Sequence, residues 1–174
     1  MVSAQNGRQY LMAYAPRFGR ISSYRIDNII SVKTGDVAAD FDILQEKFEG
    51  MRPHLWGVST QSESRARMEH VDFPVRYGDG ERYIRNRLER EQRCGTVEHL
   101  DPHTSRFSAD VYDASELVPW IRTFICRITE IHFSDLELEK QFKEDLQEMY
   151  TIYGIGTKTG EVCNIWHESR RGEA

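Results

Sequence analysis

The sequence predicts an α+β protein with a short all-β first part and a longer second part in which strands and helices alternate. Three observations carry that reading. Short β-type runs crowd residues 9–33 with only tight turns between them. From Met68 onward, apolar patterns of period 2 and period 3.6 alternate along the chain. Between these regions lies Ser59-Thr60-Gln61-Ser62-Glu63-Ser64, polar and serine-rich, which reads as a linker. The organisation that follows is a β domain over 1–58, a linker over 59–66, a mixed domain over 67–153 and a tail over 154–174.

In the first part, Tyr10, Met12 and Tyr14 alternate within Gln9–Ala15, giving a strand ended by Pro16 and turned at Phe18-Gly19. Ile21–Ile26 gives a second strand, and Asn28–Lys33 a third, closed by Gly35-Asp36. Closely spaced strands of this kind suit a small antiparallel barrel or sandwich. Phe41, Leu44, Gln45 and Phe48 then fall at helical spacing, predicting a helix over 39–49 with Gly50 as its C-terminal cap.

In the second part, Met68–Val75 alternates as a strand, with Pro74 marking an edge or the strand's end. Asp79–Arg93 reads as a helix whose apolar side carries Tyr83, Ile84 and Leu88. A strand at Gly95–Leu100 follows, then a turn at Asp101-Pro102. Phe107, Ala109 and Val111 alternate through Ser105–Tyr112 as another strand. Asp113 and Glu116 have capping-box spacing ahead of Leu117, Trp120, Ile121 and Phe124, and Ile128–His132 is one more short strand. A second capping box, Ser134 and Glu137, opens a helix through Leu138, Phe142, Leu146 and Met149. Strand–helix–strand–strand–helix–strand is the split βαβ, or ferredoxin-like, order, here with an extra C-terminal helix. The tail beyond Gly154 reads either as fraying or, at Val162–Trp166, as an added strand.

Composition narrows the function. Hydrophobic residues at 39% and charged residues at 29% suit a folded domain. No apolar run approaches a membrane span, and MVSAQNGRQY has no apolar signal core, so a cytoplasmic setting without membrane contact is expected. Cys94, Cys126 and Cys163 form no CxxC pair and suggest neither a disulfide framework nor a zinc site. A net charge of −5 argues against a non-specific grip on a polyanion by the whole surface. The charge is uneven, though. Residues 7–33 hold Arg8, Arg17, Arg20, Arg25 and Lys33 against Asp27 alone, a net +4, whereas 134–150 has a net −4. An anion site is therefore expected near the start of the chain.

Catalytic patterns are weak. His99 and His103 flank a turn rather than sharing a helix face, so no metal is expected. Cys126 sits on an apolar helix end and reads as a buried small hydrophobe, while Cys94 reads as the more exposed thiol. There is no GxGxxG and no GxxxxGK[ST]. The sequence thus predicts no enzyme and no cofactor. The arginines of Asp79–Arg93 are nearly balanced by Asp79, Glu81, Glu89 and Glu91, with Glu81–Arg85 and Glu89–Arg93 spaced for ion pairs. That helix reads as a solvated, self-paired face.

One constellation remains: Tyr10, Tyr14, Arg17, Arg20, Tyr24, Arg25 and Asp27. If the first two strands pair, rings that stack and guanidinium groups that fork onto phosphate or carboxylate meet on a small surface. Such a patch suits an anionic ligand bearing a planar base. Equally, the tyrosines and arginines decorate a sheet, with Asp27 paired to Arg25.

At these residues the chain resembles the WYL-domain family of bacterial transcription regulators. Gln9-Tyr10-Leu11 matches two residues of the name-giving tripeptide, with glutamine in place of tryptophan. Tyr24-Arg25-Ile26-Asp27-Asn28-Ile29 is similar to the downstream aromatic–Arg–x–Asp element, with Asn28 where arginine is frequent. Met51–Val58 looks like the exit from the family's barrel, and Pro119-Trp120-Ile121-Arg122-Thr123-Phe124 like the tryptophan-bearing helix of its C-terminal extension. The resemblance spans 7–153. It implies an Sm-like barrel, a ferredoxin-like extension that mediates homodimerisation, and a nucleotide or single-stranded nucleic acid as effector. Family members carry a winged helix-turn-helix that binds DNA ahead of this region, so the chain reads as a fragment of a longer regulator or a stand-alone sensor. The resemblance places the effector against Tyr10, Tyr14, Arg17, Arg20, Tyr24 and Arg25, with Asp27 orienting an arginine. The alternative is a dimerisation module that senses nothing.

Overall fold

The computed structural model describes residues 1–3, 7–60 and 68–154; most of the serine-rich linker and nearly all of the tail, including Val162–Trp166, lie outside them. The chain divides into two compact units, Met1–Leu136 and Glu137–Ala174. The architecture is mixed α+β with two antiparallel sheets, both within the first unit.

The first sheet is a hairpin of β1 (Tyr10–Ala15) and β2 (Arg20–Arg25). A 3-10 turn over Pro16–Phe18 joins them, and Gly19 closes it in the left-handed region at φ 62°. The register sets Tyr10 opposite Arg25, Met12 opposite Ser23 and Tyr14 opposite Ile21. The third strand expected at Asn28–Lys33 is not formed. Ile26–Asn28 makes a second 3-10 turn, and residues 29–38 adopt neither helix, strand nor turn. The turn, which the Arg25–Asp27 pair spans, ends the ribbon before another strand can align with β2. Among the described residues no barrel closes.

Helix α1 (Phe41–Met51) runs through Gly50 rather than stopping there, and a 3-10 turn at Arg52–His54 ends it. Pro53 enforces that stop because its ring cannot continue an α-helix. Ile21, Met51 and Leu55 form a small core against which Met12, Phe48 and Tyr112 pack.

The second sheet has the order β4-β5-β3-β6, from β3 (Glu69–Arg76), β4 (Thr96–Asp101), β5 (Thr104–Val111) and β6 (His132–Phe133). Every neighbouring pair is antiparallel. Helix α2 (Arg82–Glu91) links β3 to β4, which lie on either side of β5, and α3 (Val118–Arg122) lies between β5 and β6. β3 is thus an inner strand. Pro74 is tolerated because β6 pairs only with Val71 and Asp72, and the missing N–H breaks no ladder bond there. Register puts Phe73 opposite Phe107 and Val71 opposite Ala109, so these four share one buried face. Leu88, Leu117, Ile121 and Phe124 complete this core, each worth about 1.5–3 kcal/mol of burial.

The segment after β5 departs from a single capped helix. Asp113 does cap, accepting the Ser115 N–H at 3.0 Å, but Ala114–Leu117 is 3-10 and α3 is short. Glu116 turns away to another task, described below. In the second unit, α4 (Leu136–Ile152) carries Glu139–Lys143 and Lys140–Glu144 ion pairs along its polar side. Among the described residues no helix is long and apolar enough to cross a membrane.

Candidate ligand site beneath the hairpin

The hairpin divides the predicted patch between its two faces. Tyr10, Tyr14 and Arg25 share one face with Met12 and Ile21, which point into the small core. Tyr24 and Arg20 stand on the other. Arg17 and Arg20 instead gather at the turn, each guanidinium 5.6 Å from the Phe18 ring centre. Asp27 takes Arg25 directly, with Nε donating to Oδ1 at 3.0 Å. This bond holds the Asp27 carboxyl below the ordinary carboxylate range and pushes the Arg25 guanidinium up. The seven residues therefore form no single surface. They form a pocket wall (Tyr10), a neutralised pair (Arg25, Asp27) and a cationic tip (Arg17, Arg20), with Tyr14 and Tyr24 exposed on opposite faces.

Beneath the Tyr10 end of β1 lies a cavity of about 670 Å³. Tyr10, Phe48 and Trp56 supply rings, Leu11, Met12 and Leu55 supply aliphatic surface, and Arg93 supplies positive charge, with the Arg52 guanidinium, paired to Glu49, beside it. Among the described residues, none of the lining side chains is a carboxylate. Arg93 Nη1 donates to the Val2 carbonyl at 3.0 Å, and Arg52 Nη1 to Glu49 Oε2 at 2.8 Å on an exposed helix face. Each contact uses one edge of the guanidinium and fixes its position. A fork has five N–H donors, so donors are left for an anion. Volume, aromatic lining and a few placed charges are those of a small-molecule site.

The floor of the cavity is anchored from the second sheet. Trp56, only 2% exposed, lies 4.7 Å from Trp120 and 5.9 Å from Phe107, centroid to centroid. Among the described residues its indole N–H has no hydrogen-bond partner. The next three residues are clasped by Glu116, 8% exposed: its carboxylate accepts the N–H groups of Gly57, Val58 and Ser59 at 3.0, 3.0 and 3.1 Å. A Cβ at position 57 would sit 2.5 Å from that carboxyl group, so any other residue there displaces the Glu116 carboxylate. A buried carboxylate is tolerated because the amides replace its hydration. Sequence reading missed Glu116 by assigning it to helix capping, a local role at the same spacing. It also missed Arg52 and Arg93, whose meeting depends on chain folding between residues far apart in sequence.

No family model, curated protein or solved structure matches this chain.

Residues weighed for catalysis are tied into structure. His99 Nε2 lies 3.0 Å from Glu89 and its Nδ1 is 2.8 Å from Ser105 Oγ, a serine–histidine–carboxylate sequence. However, Ser105 is fully buried and its hydroxyl also bonds Tyr77 at 2.7 Å, so this chain of bonds ties β4 and β5 to α2. His103 faces Asp79 at 3.6 Å instead of joining it. The thiols are the reverse of expectation. Cys126 is exposed, whereas Cys94 is buried and pushed up to about 11 by burial, with Glu116 adding to the shift. On α2 the ion pairs also run the other way, Arg85 to Glu89 and Arg87 to Glu91, while Glu81 clamps Arg127 through both carboxylate oxygens. Among the described residues no cluster of potential metal ligands occurs.

Proposed function

We propose that the chain is the ligand-sensing module of a WYL-type bacterial transcription regulator, and that its effector is an anionic nucleotide or a short single-stranded nucleic acid. The observation that carries this reading is the cavity under β1, where Arg52 and Arg93 meet three aromatic rings with no acid among the described lining side chains. A planar base stacks on Tyr10 while phosphate oxygens take the guanidinium donors. In this reading the hairpin is the surviving part of an Sm-like barrel, and the split βαβ sheet is a ferredoxin-like extension. The module acts in the cytoplasm on a DNA-binding domain and performs no chemistry of its own.

Sensing requires that occupancy favour one arrangement over another. Trp56 offers a route, because it lines the cavity and is followed directly by the residues that Glu116 clasps. Isothermal titration with a panel of mononucleotides, cyclic dinucleotides and short oligonucleotides tests the proposal. Arg93→Ala is expected to weaken the binding ligand roughly tenfold to a hundredfold, the value of a charged hydrogen bond. Tyr10→Ala is expected to weaken it by about tenfold through lost stacking. Binding that neither substitution changes places the ligand elsewhere, and absence of binding across the panel removes the effector class.

A further inference from the structure

We propose that a second cavity, adjoining the first at Trp56 and Arg93, takes a second nucleobase, so that the effector is a dinucleotide or a longer strand rather than a single nucleotide. The inference rests on the reading above for the ligand being a nucleotide. The second cavity measures about 430 Å³, and Trp56 and Arg93 line both. Among the described residues, two buried polar atoms of its lining side chains have no hydrogen-bond partner: the Trp56 indole Nε1 and the Gln92 carbonyl Oε1. Trp56 is only 2% exposed. A donor and an acceptor shut away from water without partners are costly, and a ligand that supplies both partners removes that penalty.

The lining selects what enters. Its two carboxylates are committed: Glu116 holds three backbone N–H groups, and Glu91 Oε2 accepts Arg87 Nε at 2.9 Å and the Trp120 indole N–H at 3.2 Å. Carboxylates beside the cavity turn a phosphate away, whereas the first cavity has no acid among its described lining side chains. An uncharged planar group therefore fits the second cavity. The unpartnered donor and acceptor match a nucleobase edge, which carries an N–H next to a carbonyl or ring nitrogen. Trp56 is packed against Trp120 and Phe107, so it offers its N–H and not a stacking face. Gln92 follows the last residue of α2 and is partly exposed, so its side chain can turn toward an entering base. Arg93, common to both cavities, is placed to hold the phosphate that links the two nucleosides.

Titration calorimetry on the full chain compares the 5′-mononucleotides of adenine, guanine, cytosine and thymine with the 5′-phosphorylated dinucleotides of the same bases. At least one dinucleotide is expected to bind roughly tenfold or more tighter than its mononucleotide, and Gln92→Leu is expected to remove most of that gain. Should that variant misfold, nuclear magnetic resonance on the unsubstituted chain gives an independent reading. The Gln92 side-chain amide signals are expected to move with the dinucleotide and to stay in place with the mononucleotide. Equal affinity for the two ligands, a gain indifferent to Gln92→Leu, or Gln92 signals unmoved by the dinucleotide overturns the second site and leaves the first standing. Binding of neither class of ligand removes the nucleotide reading itself, and the second site with it.

Discussion

The hairpin region and the four-stranded sheet belong to the same compact unit but are built very differently. Around the sheet, Val71, Phe73, Val75, Leu88, Phe107, Val111, Leu117, Ile121 and Phe124 are all essentially inaccessible. Around the hairpin, the buried core is Ile21, Met51 and Leu55, followed by a run of exposed aliphatic residues. Regions with few buried contacts open at lower free energy than the cores they rest on. The contrast makes the hairpin the more easily opened region, with Trp56 and the Glu116 clasp joining it to the sheet. The cavity lies on the hairpin side of that joint.

Substitutions on either side of the joint test this contrast. The largest effect is expected from Phe107→Ala, which removes a ring touching Phe73, Trp56 and Trp120; it should cost about 3–5 kcal/mol in urea unfolding. An equal loss from Ile21→Ala in the global transition would show that the hairpin is as integral as the sheet. Next comes the joint. Glu116→Gln replaces one acceptor oxygen with a donor facing backbone N–H groups, and should cost about 2–3 kcal/mol. Its signature is loss of hydrogen-exchange protection at residues 57–59 before the sheet is affected. A smaller effect of opposite sign is expected on α1. Gly50 is the penultimate residue of α1, with open space where a Cβ would go, so Gly50→Ala should stabilise by at most about 0.5–1 kcal/mol.

The smallest effect concerns pH. Because Arg25 lowers the Asp27 pKa in the folded state, the pair's contribution is fully present above the unfolded value of about 3.8 and disappears as pH falls through the lower folded value. Both side chains meet solvent, so Asp27→Asn should alter the acid limb of the stability profile only slightly and leave neutral pH almost unchanged. Carboxyl chemical shifts of Asp27 followed through the acid range check the direction.

How much of this was legible in the sequence follows from the range of each interaction. Phe107, Ala109 and Val111 alternate along one strand, and Leu88 repeats at helical spacing with Ile84, so the sheet and its main helix could be read locally. Asn28–Lys33 has the same β-type composition but lacks a neighbour in the chain, and propensity without pairing makes no strand. Cys94 reads as exposed until the chain folds over it, and Gly95, at φ 82° with the Ser108 carbonyl 2.5 Å from any Cβ, makes the close turn that buries it. For the site, Tyr10 was identified from the strand pattern. Phe48, Arg52, Trp56 and Arg93 were not, because three chain segments must converge before they share a cavity.

The most direct measurement of the central claim is hydrogen exchange by mass spectrometry, with and without saturating amounts of the nucleotide or oligonucleotide that binds tightest. New protection is expected at residues 9–12, 48–58 and 90–93, with little change in the buried strands β3 and β5. Protection confined to the sheet, or none in the hairpin and at Trp56, would contradict that claim.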